Sequence, residues 1–96
     1  MPAGKLLKVL RDTEGALAQA MRDGIEPGAA AIQPLIARHH AWVTTMWERP
    51  CSPKAYAGLA NLYLAHPDFV DRYERMEVGF ATYLSQAMKV YAERGR

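Results

Sequence analysis

Two adjacent histidines, His39 and His40, and the single cysteine, Cys51, are the residues that could carry out covalent chemistry. A thiol activated by an imidazole is a common enzymatic nucleophile. Neighbouring residues of a helix point about 100° apart, so at most one of the two histidines could reach the thiol. No third residue that would orient such a base is apparent, and no two acids share an apolar face. We predict that the protein is not an enzyme and has no catalytic residue.

A metal site is not indicated either. His39 and His40 lack the i, i+4 spacing that places two ligands on one face of a helix, and His66 and Cys51 lie far along the sequence. One cysteine excludes an internal disulfide and a structural zinc site. His39 lies on the apolar face of its predicted helix, where a hydrogen-bonded core histidine is more usual than a ligand. We predict no metal and no cofactor.

The aromatic residues are more informative, because all nine lie after residue 41. They are Trp42, Trp47, Tyr56, Tyr63, Phe69, Tyr73, Phe80, Tyr83 and Tyr91. Buried tyrosine and tryptophan need hydrogen-bond partners, and a small domain has little interior. Several should therefore line a surface groove, to which methionines add adaptable surface. A plain core role is favoured for Tyr63, Phe69, Phe80 and Leu84. Trp42, off the apolar stripe of its helix, fits either position.

Cys51 directly precedes Ser52-Pro53, a strong signal for the start of a helix. The positive end of that helix would favour the thiolate and raise the reactivity of the thiol. The alternative is a small buried hydrophobic residue, and the sequence alone favours this alternative.

Apolar residues recur at helical spacing, and no strand pattern is present. The predicted helices cover about 5–22, 29–47, 53–64, 67–74 and 76–93. Pro34 favours a later start of the second helix, near Gln33, and Gly15 weakens the first. Short turns that begin with proline force changes of direction. We predict an all-α fold, a globin-like or irregular orthogonal bundle of about five helices.

Length and composition limit the remaining possibilities. The chain has 96 residues, of which 50% are hydrophobic and 23% charged, which is typical of a single globular domain. The net charge of +2 comes from scattered side chains and does not predict nucleic-acid binding. No apolar stretch is long enough for a membrane span or a secretory signal. With a single cysteine, a cytoplasmic location is expected.

Five short motifs occur in an order found in one known family. They begin at residues 40 (His-Ala-Trp), 51 (Cys-Ser-Pro), 56 (Tyr-Ala-Gly-Leu-Ala-Asn-Leu-Tyr), 66 (His-Pro-Asp-Phe) and 80 (Phe-Ala-Thr-Tyr-Leu). In this order they resemble the TipAS antibiotic-recognition domain, the effector module of a branch of MerR-type transcription regulators. The similarity covers a little over half of the chain, and the first 38 residues match only in being helical.

The resemblance implies a globin-like fold whose cleft accepts a ligand, thiopeptide antibiotics in the founding members. It also implies a single domain, in which residues 1–28 form a loosely ordered helix and hinge that settle on ligand binding and residues 29–96 form the helical core. A cysteine of the thiopeptide-binding members adds to a dehydroalanine of the antibiotic, and Cys51 would correspond to it. The predicted ligand-binding residues are His39, Trp42, Trp47, Cys51, Tyr56, Tyr63 and Tyr91.

The sequence departs from the full regulators in one respect. It contains no basic recognition segment and no heptad run, so we expect DNA contact only through a separate winged-helix domain absent from this chain, and dimerisation only in the full-length regulator. The chain is then an excised effector domain or a stand-alone drug-sequestering module. The alternative function is a helical protein–protein adaptor that binds a partner helix in the aromatic groove.

Overall fold

The computed structural model describes residues 3–95, which form five α-helices, one 3-10 turn and no strand. The helices are α1 (Ala3–Arg22), α2 (Gln33–Trp47), α3 (Pro53–Ala65), α4 (Pro67–Met76) and α5 (Phe80–Arg94), and the 3-10 turn at Ala30–Ile32 precedes α2. The predicted all-α bundle of about five helices is confirmed. Within residues 3–95 no helix combines the length and the apolar character needed to cross a membrane.

Proline and capping residues define most helix starts. α2 begins at Gln33 with Pro34 in its first turn, as the later of the two predicted starts required. Before α3, the hydroxyl of Ser52 accepts a hydrogen bond from the backbone N–H of Ala55 at 3.1 Å. These local signals fix the direction changes between α2, α3 and α4.

The start of the last helix differs from the prediction. α5 begins at Phe80 rather than at residue 76, because Gly79 adopts a left-handed conformation with φ of 88°. The carboxylate of Glu74 accepts hydrogen bonds from the N–H groups of Gly79 at 2.9 Å and Ala81 at 3.0 Å. These backbone bonds lower the pKa of Glu74. They satisfy the first amides of α5 and separate it from α4.

Helix α1 continues through Gly15 without a break. Gly15 lies on the exposed face, whereas Leu10, Leu17 and Ala18 on the opposite face are buried. Burial of this face compensates for the low helix propensity of glycine, since most helix stability in proteins comes from packing. The loose ordering of residues 1–28 in the absence of a ligand stays a prediction.

The core is built around α5, which packs principally against α3. Phe80, Leu84 and Met88 of α5 are fully buried, and Ser85 donates a hydrogen bond to the carbonyl of Ala60 at 3.1 Å. Helices α1, α2 and α4 surround this pair. A groove remains on the side of the bundle where α1, α2, α3 and α4 converge.

Candidate ligand-binding groove

The groove has a volume of about 400 Å³, within the range of small-molecule sites. Each of the first four helices contributes to its walls. The lining residues are Leu10 of α1, Trp42, Val43, Met46 and Trp47 of α2, Leu59 and Tyr63 of α3, and Phe69, Arg72 and Tyr73 of α4. The walls are therefore mostly aromatic and aliphatic, and one of them belongs to α1.

The two tryptophans of α2 lie in different environments. Trp47 is at the mouth of the groove, 36% exposed, beside Met46, which is 49% exposed. Trp42 is half-buried, and its indole Nε1–H donates a hydrogen bond to the backbone carbonyl of Leu6 at 2.9 Å. The indole N–H of Trp42 is thus already used to contact α1, so its ring face remains for a ligand.

Arg72 is the charged residue among those that line the groove. Its Nη2 donates a hydrogen bond to Oε1 of Glu14 at 2.7 Å, and its guanidinium carbon lies 5.7 Å from the ring centroid of Tyr73. The Glu14 side chain is 1% exposed, and its Oε2 has no hydrogen-bond partner among the described residues. The hydrogen bond to Glu14 raises the pKa of Arg72. This ion pair joins α4 to α1.

Behind the groove, His39 is completely buried between two tyrosines. Its Nδ1 lies 2.7 Å from the hydroxyl of Tyr56 and its Nε2 lies 3.4 Å from the hydroxyl of Tyr63. Burial, and then the neighbouring His40, lower the pKa of His39 to about 4. A neutral imidazole has one donor and one acceptor, so it satisfies one tyrosine hydroxyl with each nitrogen. Of these three residues, Tyr63 alone lines the groove.

Cys51 and Tyr91 meet His40 outside the groove. His40 donates through Nε2 to the carbonyl of Cys51 at 2.7 Å and accepts through Nδ1 from the hydroxyl of Tyr91 at 3.3 Å. The bond to Cys51 is made to its backbone and leaves the thiol without an imidazole base. The Cys51 side chain is buried, and burial raises the pKa of the thiol despite the opposing effect of Arg49.

The seven residues predicted to bind ligand therefore occupy three places. Trp42, Trp47 and Tyr63 line the groove, His39 and Tyr56 form the core behind it, and Cys51 and Tyr91 lie next to His40. A ligand-binding role for each of them stays a prediction.

Six further residues line the groove without having been predicted from the sequence. They are Leu10, Val43, Met46, Leu59, Arg72 and Tyr73; Phe69 also lines the groove, although the sequence favours a core role for it. The spacing of Phe69, Arg72 and Tyr73, at i, i+3 and i+4, was a usable signal for one face of α4.

The environment of Cys51 makes a specific prediction about its reactivity. Because the thiol is buried and its pKa is raised, alkylation by iodoacetamide at pH 7.5 should be at least about tenfold slower than for an exposed thiol. The matched control is the double variant Cys51→Ala/Ala55→Cys, which places a thiol at an exposed position of the same helix start. Intact-mass time courses measure both rates. Equal rates would show that Cys51 is accessible.

An all-α domain with a pocket of this size and lining has the features of a small-molecule-binding domain. The chain belongs to the family of the TipAS antibiotic-recognition domain, which matches residues 5–91. The family resemblance inferred from the sequence is thereby confirmed.

Two curated relatives have the same degree of similarity. The chain is 42% identical over 83 residues to the HTH-type transcriptional regulator SkgA of Caulobacter vibrioides, both from strain NA1000 / CB15N and from strain ATCC 19089 / CIP 103742 / CB 15. The alignment covers 86% of this chain and 32% of each relative, so the chain spans about a third of their length. No solved structure matches the chain significantly.

Proposed function

We propose that this chain is the ligand-sensing effector domain of a MerR-type transcriptional regulator and binds amphiphilic multi-ring compounds, such as thiopeptides, in the groove. The family and the HTH-type regulators among its relatives support the regulatory part of this proposal. The observation that carries the ligand part is the aromatic groove of about 400 Å³ between α1 and α2–α4. Promoter binding would require a separate DNA-binding domain.

The contacts of α1 supply a physical route from ligand to regulation. Leu10 forms part of the groove, and Trp42 and Arg72 line the groove while each makes a polar contact with α1. A compound that packs against these side chains adds contacts that exist only when α1 is docked. Ligand binding therefore shifts the equilibrium of α1 toward the docked, ordered state, by the difference in affinity between the two states.

The size of the groove also suggests how a large compound would bind. A volume of about 400 Å³ holds a drug-sized group and not a whole macrocyclic peptide. The groove would hold one or two ring systems, and the rest of the compound would extend across the exposed side chains of Met46 and Trp47 at the mouth. Indole rings suit this position, since they offer a broad apolar face near water.

Removal of Trp47 tests the proposal with little risk to the fold, because this side chain is partly exposed. Trp47→Ala should weaken binding of thiostrepton about tenfold through loss of the aromatic contact area. Leu62→Ala is the matched control, since Leu62 is an exposed apolar residue outside the groove. Titration calorimetry gives both affinities. In the unaltered protein, the intrinsic fluorescence of Trp42 and Trp47 also reports ligand binding in the groove.

The sensor proposal is wrong if thiostrepton and a panel of multi-ring compounds produce neither binding heat in calorimetry nor a change in tryptophan emission. Capture of a helical protein partner in place of compounds would favour the adaptor.

A further inference from the structure

The groove combines apolar walls with one charged side chain whose orientation is fixed. Arg72 is held by the hydrogen bond to Glu14 and by its position over the ring of Tyr73, and its side chain is 47% exposed. A guanidinium carries five N–H donors, of which the structure assigns one to Glu14. The remaining donors give the α4 side of the groove several N–H groups, whereas the neighbouring Tyr73 has a single hydroxyl donor.

Glu14 limits what this guanidinium can bind. The carboxylate of Glu14 is buried, Arg72 forms its one ion pair among the described residues, and the hydroxyl of Tyr73 also lies close to it. If Arg72 turned toward an anionic ligand, Glu14 would be left as a buried charge without compensation, which is strongly unfavourable. The pair is also neutral overall, so Arg72 offers donors to the groove without offering a net positive charge.

Resting on the proposed function, we propose that Arg72 is a specificity-determining residue of the groove. The groove binds neutral aromatic compounds that carry a carbonyl oxygen, and this oxygen accepts a hydrogen bond from Arg72. Glu14 disfavours the binding of anionic aromatic compounds. The aromatic part of such a compound stacks on the walls formed by Trp42, Trp47 and Tyr63. The carbonyl oxygen lies at the α4 side, within reach of the N–H groups that Glu14 leaves free.

Three fluorescent dyes separate the contributions of carbonyl and charge. Nile red is neutral and carries a carbonyl acceptor, N-phenyl-1-naphthylamine is neutral without a carbonyl, and 1-anilinonaphthalene-8-sulfonate is the second dye with an added sulfonate. Their affinities are to be measured for the full chain, for Glu14→Gln and for Glu14→Gln/Arg72→Met. Glu14→Gln leaves an acceptor for Arg72 but removes the neutralising charge. The double variant removes the cation as well.

The anionic dye tests the role of Glu14. In Glu14→Gln, the affinity for anilinonaphthalene sulfonate should rise about fivefold to tenfold because the charge of Arg72 is no longer neutralised. This gain should disappear in Glu14→Gln/Arg72→Met, and the affinity for phenylnaphthylamine should change less than about twofold in both variants. A sulfonate gain that persists without Arg72 would reflect loosened packing and would overturn the proposal.

Nile red tests the hydrogen bond to the carbonyl. Its affinity should be about fivefold lower for the double variant than for the full chain, because one hydrogen bond to the carbonyl is lost. Its emission should also shift to the blue, because hydrogen-bond donation to this carbonyl moves the emission to the red. A purely structural role of Arg72 would leave the emission of bound Nile red unchanged, and that result would overturn the proposal. If the glutamine variants do not fold, Glu14→Leu and Glu14→Leu/Arg72→Met supply the same two comparisons without a buried amide at position 14.

Failure of this inference and failure of the proposed function give different results. If no dye and no antibiotic binds the full chain, the groove is not a ligand site and both proposals are wrong. If the dyes bind and Trp47→Ala weakens them, but neither the sulfonate preference nor the Nile red emission depends on Glu14 and Arg72, the groove binds ligands and the inference alone is wrong.

Discussion

Arg72→Met should lower the free energy of unfolding by about 3 kcal/mol, a large fraction of the stability of a domain of this size. The variant removes the side chain that compensates the buried carboxylate of Glu14. Breaking one side of a fully buried pair costs about 3–5 kcal/mol, and we expect the low end because Arg72 itself is half exposed. Urea unfolding followed by far-UV circular dichroism measures the loss.

Two variants assign this effect to the ion pair. Glu14→Leu/Arg72→Met removes both charges and should recover most of the lost stability, since apolar replacement of a buried pair is often close to neutral. Arg75→Met, on the exposed face of the same helix, should change the stability by less than about 0.5 kcal/mol. If the single variants at 72 and 75 are equally stable, Glu14 does not depend on Arg72.

Acid should destabilise the protein through His39, by about 3 kcal/mol between pH 6.5 and pH 4. The folded state keeps His39 neutral because it is buried and lies beside His40, and this lowers its pKa to about 4. The unfolded chain binds the proton already near pH 6.5. Stability is therefore fully present above that pH, falls as the pH decreases toward 4, and levels off below it for this group.

The control for the acid effect uses another histidine. His66→Asn removes an exposed imidazole that caps α4 through the amide of Asp68 and keeps a capping side chain in its place. The stability of His66→Asn should still fall as the pH decreases from 6.5 to 4, because the buried His39 is retained. His39→Phe should be less stable at neutral pH, because the hydroxyls of Tyr56 and Tyr63 lose a partner, but its stability should change less with pH. An unaltered slope in His39→Phe would contradict the assignment.

Local signals in the sequence were sufficient for most of the secondary structure. Pro34, Ser52 with Pro53, and Pro67 act within one helical turn of their own positions, so the starts of α2, α3 and α4 follow from neighbouring residues. The predicted start of α5 at residue 76 lies four residues before the observed start at Phe80. Its amides are capped by Glu74 of the preceding helix, and this contact exists only once the turn at Gly79 has formed.

The groove was predictable in kind and only partly in its residues. Aromatic content and the family resemblance both indicated a cleft, but residue type does not say which side of a helix faces the groove and which faces the core. Tyr56 and Tyr63 illustrate this, because they lie two turns apart on α3, yet one is in the core and the other also lines the groove.

Arg72 shows why the remaining lining was missed. A charged residue on a short amphipathic helix is ordinarily solvent-exposed, and its partner Glu14 is 58 residues away in the sequence. No local pattern connects the two residues. The same holds for the hydrogen bond from Trp42 to the carbonyl of Leu6, which depends on the packing of α1 against α2.

Hydrogen exchange tests most directly whether occupancy of the groove is coupled to the docking of α1. Amide exchange is to be measured for the full chain alone and with thiostrepton in excess. We predict that amides in residues 5–30 gain protection on addition of the compound, while those of α3 and α5 change little. Saturated binding with unaltered exchange in residues 5–30 would show that the groove and α1 are not coupled, and would contradict the account.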